Sequence, residues 1–263
     1  MFVEAARCRT AVERALPDFA VEIYINRGTA GRRLFDASVH APLPRRGAWV
    51  IGPRTKSLLV EKEVVDCDIV SVRLRPGVVQ DVLGVPPREL AGSLIDLEDL
   101  WSPSAVDRLR EQLSGRDGNE RLDIVEQAVD ERAGIAADAG LAHRVALDFA
   151  NARSVAVVAD RRGMSHRSVI ELSERFFGMK PKAFQRVQRL RRVLQHVHRT
   201  ALPDWASIAQ ACGFFDQSHL INDFREQAGI TPSQYADSRS SVGRGFAPFR
   251  LAARISNTAD PDR

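Results

Sequence analysis

Residue types that carry chemistry are few and scattered in the first half of this 263-residue sequence. Cys8, Cys67 and Cys212 are odd in number and far apart, with no Cys-x2-Cys pair and no His/Cys ligand spacing. That pattern argues against a disulfide framework or a zinc site and for a reducing compartment. Cys67 and Cys212 read most simply as small buried residues. Asp66 and Asp68 flank Cys67 on one strand-like run, and alternation points both away from the cysteine, as on a solvated strand face rather than in an acid/base pair. His40 is the only histidine before residue 143, too few for a histidine-rich metal site. Trp49 and Trp101 read as core rather than as pocket walls. Arg73 and Arg75 lie on one side of a strand before Pro76-Gly77, open either to an anionic effector or to surface ion pairs. No catalytic set emerges, so the expectation is no enzyme, no metal and no cofactor.

The second half holds one pattern twice, about 50 residues apart. The first copy runs Val158-Ala159-x3-Gly163-Met164, then Val169, then Gly178-Met179-Lys180-Pro181-x2-Phe184. The second runs Ile208-Ala209-x3-Gly213-Phe214, then Leu220 and Phe224, then Gly229-Ile230-Thr231-Pro232-x2-Tyr235. A small residue inside a short helix, a Gly turn four residues on and an apolar position early in the next helix describe a helix-turn-helix. The small residue lets two helices cross closely, and the Gly serves a left-handed turn position. Two such units in one domain imply two recognition helices. Ser154 and Ser165 are placed to cap the two helices of the first unit. A long helix starts at Pro181, which suits a first turn. Its buried stripe is Phe184, Val187, Leu190, Leu194 and Val197, with Lys182, Arg186, Arg189 and Arg192 mostly off it. Between two DNA readers, these cations become candidate phosphate contacts.

Charge divides the same way. Residues 1–137 hold 19 Lys/Arg against 22 Asp/Glu, a net of −3, and residues 138–263 hold 19 against 12, a net of +7. A basic half beside a mildly acidic one suits a polyanionic partner. No apolar run approaches 18 residues and no signal-peptide pattern opens the chain, so the expectation is a cytoplasmic protein with no membrane partner.

The elements that must hold these residues change type along the chain. Strand-like runs cover Phe19 to Ile25, Leu34 to Val39, Ala48 to Ile51, Ser57 to Val60 and Val64 to Leu74, with Gly/Pro/Asn punctuation between them. Short strands at this spacing predict a small barrel-like sheet. From Val78 the period becomes helical. Val78 to Leu83 ends at Gly84, and two amphipathic helices follow, Ser104 to Leu113 and Arg121 to Arg132, joined by a loop over Gly115 to Asn119. The fold class is α+β: a β-rich domain with trailing helices over 1–137, an all-α double helix-turn-helix domain over 138–238, and a disordered tail over 239–263. The boundary falls in the small-residue stretch Gly134 to Gly140. With its own apolar stripes, the segment from 138 to about 240 is expected to fold alone.

Residues from about 141 to 236 resemble the DNA-binding domain of the AraC/XylS family of bacterial transcriptional regulators. Ala209, Gly213, Phe214, Leu220, Phe224, Arg225, Gly229, Thr231, Pro232 and Tyr235 fill that family's long fixed-spacing pattern. The N-terminal half is similar, through Trp49 to Thr55, Val72 to Gly77 and Leu83 to Pro86, to a small β-rich sensor domain found in a subset of the family. The resemblance implies double-stranded DNA as partner, read by two recognition helices in successive major-groove segments, with RNA polymerase recruited or blocked. It leaves room for a small-molecule effector and a homodimer.

Base contacts in the family fall early in each recognition helix, which in the second unit implies Gln217, Ser218 and Asn222. Gln and Asn can bond an adenine edge bidentately, and Ser is less selective. Asp216 at the helix start is a structural acid, and His219 packs or caps. In the first unit the resemblance implies Arg167, Ile170 and Glu171, with Ser165 at the helix start. Arg167 can meet guanine, Ile170 a thymine methyl and Glu171 a cytosine amine. Glu171 opposes backbone charge, and Ser173 replaces an expected core aromatic, whose space Phe176-Phe177 can refill. The phosphate contacts expected on the linker helix are Lys182, Arg186 and Arg189. The resulting expectation is a sequence-specific regulator, an activator before a repressor, controlled or oligomerised by its first half. Glu171, Ile170 and Ser173 motivate an alternative, an interaction protein that keeps the fold without specific DNA binding.

Overall fold

A computed structural model describes residues 2–6, 11–27, 32–36, 47–62, 67–133, 138–151, 154–200 and 202–241. Cys8, His40, Asp66, the stretch 134–137 and the tail beyond 241 lie outside them. The first half contributes strands β1 (Phe2–Ala6), β2 (Ala11–Ala15), β3 (Val21–Asn26), β4 (Arg32–Asp36), β5 (Gly47–Ile51), β6 (Leu58–Lys62), β7 (Cys67–Leu74) and β8 (Leu94–Asp96). Helices α1 (Val79–Leu83), α2 (Pro103–Gln112) and α3 (Gly118–Ala133) follow or interrupt them, with one-turn 3-10 helices at Pro87–Glu89 and Leu97–Asp99.

The β-rich half followed by helices is as expected, and among the described residues its strands lie in two sheets. They form a five-stranded sheet in the order β1-β7-β3-β5-β8 and a three-stranded sheet in the order β2-β6-β4, antiparallel throughout. The alternation in β3 shows why the larger sheet has a core side: Val21, Ile23 and Ile25 are buried while Glu22 and Tyr24 are half-exposed. Strand β5 is buried on both faces. Ala48 and Val50 join Val82, Leu83, Trp101 and Val106 beneath the helices. Trp49 and Ile51 face the other way, packing with Ile69 and with Ala15 and Leu58 of the smaller sheet. Tyr24 stacks on Trp49 at 5.6 Å with ring planes 6° apart. Trp101 is core as well: its indole N–H donates to the Val82 carbonyl at 2.8 Å, and Arg132 lies 3.7 Å over its ring. Helix α3 starts at Gly118, so it takes in the last two residues of the expected Gly115–Asn119 loop. Asp117 accepts from the amides of Asn119 and Glu120, and Glu120 reaches back to the Asp117 amide, a reciprocal cap that pulls the start forward.

The described residues of the second half form seven helices: α4 (Ala139–Asn151), α5 (Val155–Arg162), α6 (His166–Phe177), α7 (Pro181–Arg199), α8 (Trp205–Ala211), α9 (Gln217–Ala228) and α10 (Pro232–Ser241). Its apolar residues make two cores. Val145, Phe149, Val158, Val169, Phe177, Phe184 and Val187 form one. Leu190, Val193, Leu194, Val197, Ile208, Leu220, Phe224 and Tyr235 form the other. Helix α7 contributes its first half to one and its second half to the other, so the two units share a spine.

The link between β2 and β3 enters both cores. Leu16 is buried in the second. Phe19 packs on the first, 4.9 Å from the Phe184 ring and 5.9 Å from Phe177, with the Arg191 guanidinium 4.7 Å from its own ring. Between them Asp18 is buried, exchanges backbone hydrogen bonds with Arg54 and pairs with Arg73. Arg73 thus takes the ion-pair option, bonding Asp18 and Glu22, while burial and nearby Arg191 lower its pKa to about 10.

Candidate nucleic-acid interface

The two units repeat bond for bond. Each first helix ends at a left-handed glycine, Gly163 (φ 61°) and Gly213 (φ 79°), a conformation that Cβ-bearing residues adopt at a cost of about 1 kcal/mol or more. In the first unit Met164 N–H donates to the Ala159 carbonyl at 3.0 Å and Gly163 N–H to Asp160 at 3.3 Å. In the second, Phe214 N–H donates to Ala209 at 2.9 Å and Gly213 N–H to Gln210 at 3.2 Å. Each following helix is then capped by a side chain. Ser165 accepts from the Ser168 amide at 3.1 Å and Asp216 from the His219 amide at 2.7 Å. Ser154 and Asp204 cap α5 and α8 in the same way.

Helix α9 separates its faces cleanly. Leu220, Asp223, Phe224, Gln227 and Ala228 are buried, and Gln217, Ser218 and Asn222 are exposed. His219 packs, as expected, its ring edge-on to Phe214 at 5.4 Å. Helix α6 presents Arg167 and Glu171 to solvent and leaves Ile170 half-buried. Arg167 and Glu171 bond each other, Nε to Oε1 at 2.9 Å, which raises the Arg167 pKa through that hydrogen bond. Ser173 is fully buried and donates to the Met179 carbonyl at 2.7 Å, tying down the turn after α6. Phe176 and Phe177 fill the surrounding core.

On the shared spine the cations divide. Lys182 is exposed in the first turn of α7. Arg186 is held by carboxylates, Nε donating to Asp223 at 2.7 Å and the fork bonding Glu226 at 2.7 and 3.1 Å. Its pKa is raised, first by the Glu226 hydrogen bond. Arg189 lies 3.6 Å from the same Asp223 and over the Phe214 ring at 5.2 Å. Asp223 and Glu226 together therefore tie α9 to α7. The spacing of the basic positions on α7 gives no hint of this, because Asp223 stands 37 residues further on from Arg186.

The far ends of α6 and α9 meet the first half. A Cβ at Gly178, after α6, would stand 2.5 Å from the Pro87 carbonyl oxygen, and one at Gly229, after α9, 2.7 Å from Arg14 Nη1. The Ser57 amide donates to the Gln227 carbonyl at 2.8 Å, its hydroxyl to Ala228 at 2.9 Å, and Arg14 donates to that hydroxyl at 3.1 Å. The starts of the helices, with Ser165, Arg167, Gln217 and Ser218, are exposed.

The described residues hold no group of three or more His, Cys, Asp or Glu placed to bind a metal. Burial pushes the Cys212 thiol up to about 11, which leaves it protonated at neutral pH. No helix among them is long and apolar enough to cross a membrane.

Residues 158–238 match a family model described as a helix-turn-helix domain. Among solved structures, ToxT from Vibrio cholerae strain SCE256 with a bound unsaturated fatty acid is 14% identical, with 89% of this chain and 93% of that one aligned at a TM-score of 0.47. ToxT from Vibrio cholerae O395 is 12% identical over 89% and 98%, also at 0.47. No curated protein sequence matches the chain.

Proposed function

From the premise that residues 158–238 are a helix-turn-helix domain of the AraC type, we propose that this protein is a sequence-specific transcriptional activator, acting in the cytoplasm on chromosomal DNA. The observation that carries the reading is the repetition of turn, cap and glycine in two units built on one helix. Such a body can set two helix starts into successive major-groove segments about 34 Å apart. Gln217, Ser218 and Asn222 read bases in one segment, Gln217 bidentately at adenine. In the other, Ser165 and the free amides at the start of α6 hold phosphate. Arg167 reads guanine there only when it leaves Glu171, so the first unit positions more than it specifies, with Ile170 at its edge. Lys182 contacts phosphate. Arg186 and Arg189 support the site indirectly, by holding Asp223 and hence α9.

The first half, from residue 1 to about 137, regulates or oligomerises the DNA-binding half and meets it at the ends of α6 and α9. RNA polymerase is the protein partner that activation requires. The test is to incubate the full chain with sheared genomic DNA at physiological salt and sequence what it retains. A small set of fragments sharing one motif supports the reading. Retention in proportion to length alone would replace it with non-specific binding.

A further inference from the structure

Phe215 leaves 93% of its surface exposed, the most of any large apolar side chain among the described residues. It stands immediately before Asp216, the cap of α9, and two residues before Gln217. The turn that presents it is held from inside. Phe214 is buried, with the His219 ring edge-on to it and Arg189 over it. The Phe215 amide donates to His219 Nδ1 at 3.4 Å. Asp216 turns back to accept from the His219 amide, so its carboxylate is engaged at the cap. Of two adjacent phenylalanines, one anchors the turn and the next projects beside the exposed residues of the helix start.

Its sequence neighbours select the occupant. Asp216, Gln217 and Ser218 after it and Gly213 before its buried twin are all exposed and contribute no apolar side chain. A lone ring among polar groups is far smaller than the apolar patches of several hundred Å² that mark protein docking sites. A base edge needs only one apolar contact, and the apolar group that duplex DNA shows in the major groove is the thymine 5-methyl, which phenylalanine can meet. Resting on the reading of α9 as a recognition helix, we propose that Phe215 reads a thymine methyl at a base pair adjoining the one read by Gln217.

The test starts from duplexes enriched by the full chain from a random-sequence pool, with each thymine then replaced singly by deoxyuridine, which removes the methyl alone. One position is expected at which uracil lowers wild-type affinity about three- to fivefold, the size of one methyl-sized group withdrawn from water. Phe215→Ala should lose a similar factor on the thymine duplex, lose nothing more on the uracil duplex and melt as the wild type does. Phe215→Leu should keep part of the preference. If uracil has no effect at any position, or affects wild type and Phe215→Ala alike, the proposal is overturned. A motif that depends on Gln217 but not on Phe215 also overturns it. A pool that yields no motif removes the recognition-helix reading and this proposal together.

Discussion

Truncating Phe19 should weaken the DNA-binding half although it lies outside that half in sequence. The ring touches Phe177 and Phe184 in the first helical core and lies beside Arg191. Phe→Ala in a full core costs about 3–5 kcal/mol. Phe19 is half-buried, so Phe19→Ala is expected to cost about 2–3 kcal/mol by the same scale, including its ring and cation contacts. Leu16 is 8% exposed in the second core, and Leu16→Ala should cost about 2–4 kcal/mol. The two side chains enter different cores, so the double variant should lose close to the sum, within about 0.5 kcal/mol. Urea unfolding of the full chain, followed by helical circular dichroism, reads both effects. Losses below about 0.5 kcal/mol, the range of ordinary surface substitutions, would refute the reading of residues 16–19, between β2 and β3, as a strap completing both cores.

Three further outcomes follow from the same contacts. The segment from 138 to 241, made alone, should melt below the same helices in the full chain, because it lacks Leu16 and Phe19; equal melting by circular dichroism would show that the strap adds nothing. Asp223→Ala should destabilise the second unit by about 1.5–3 kcal/mol, the worth of hydrogen bonds to a charged group, since it removes the buried carboxylate beside Arg189 and leaves Arg186 bonded to Glu226 alone; a melting curve that does not move would show that the pair is idle. Glu171→Gln removes one negative charge beside the groove and frees Arg167, so affinity should rise on all DNA sequences with a steeper salt dependence. A fall on the enriched motif alone would instead make Glu171 a reader of cytosine.

What the chain revealed in advance was local. The turn glycines, the Ser154 and Ser165 caps and the α7 stripe lie within a few residues of what they act on, so spacing exposes them. The reciprocal cap Asp117-x2-Glu120 was equally local, and it fixes where α3 starts. Other features needed partners far along the chain. Strands β1 and β2 interrupt their apolar residues with Glu4, Glu13 and Arg14 and become strands by pairing with β7 and β6. Three-residue β8 is too short to show a period. The two sheets follow from that pairing, which no single run displays. Arg186 and Arg189 read as phosphate contacts from their spacing on α7, because Asp223 reads as one more polar residue of an amphipathic helix. Leu16 and Phe19 flank Pro17-Asp18, which resembles an ordinary turn until the cores it enters are seen.

The central claim is that the start of α9 reads sequence. Equilibrium binding of wild type and Gln217→Ala should be measured at one fixed salt concentration, on the enriched duplex and on a scrambled duplex of equal length. Sequence reading by α9 requires a loss of about 1–3 kcal/mol on the enriched duplex, the worth of a bidentate base contact, and little change on the scrambled one. Equal losses on both, or no preference of the wild type for either, would contradict it.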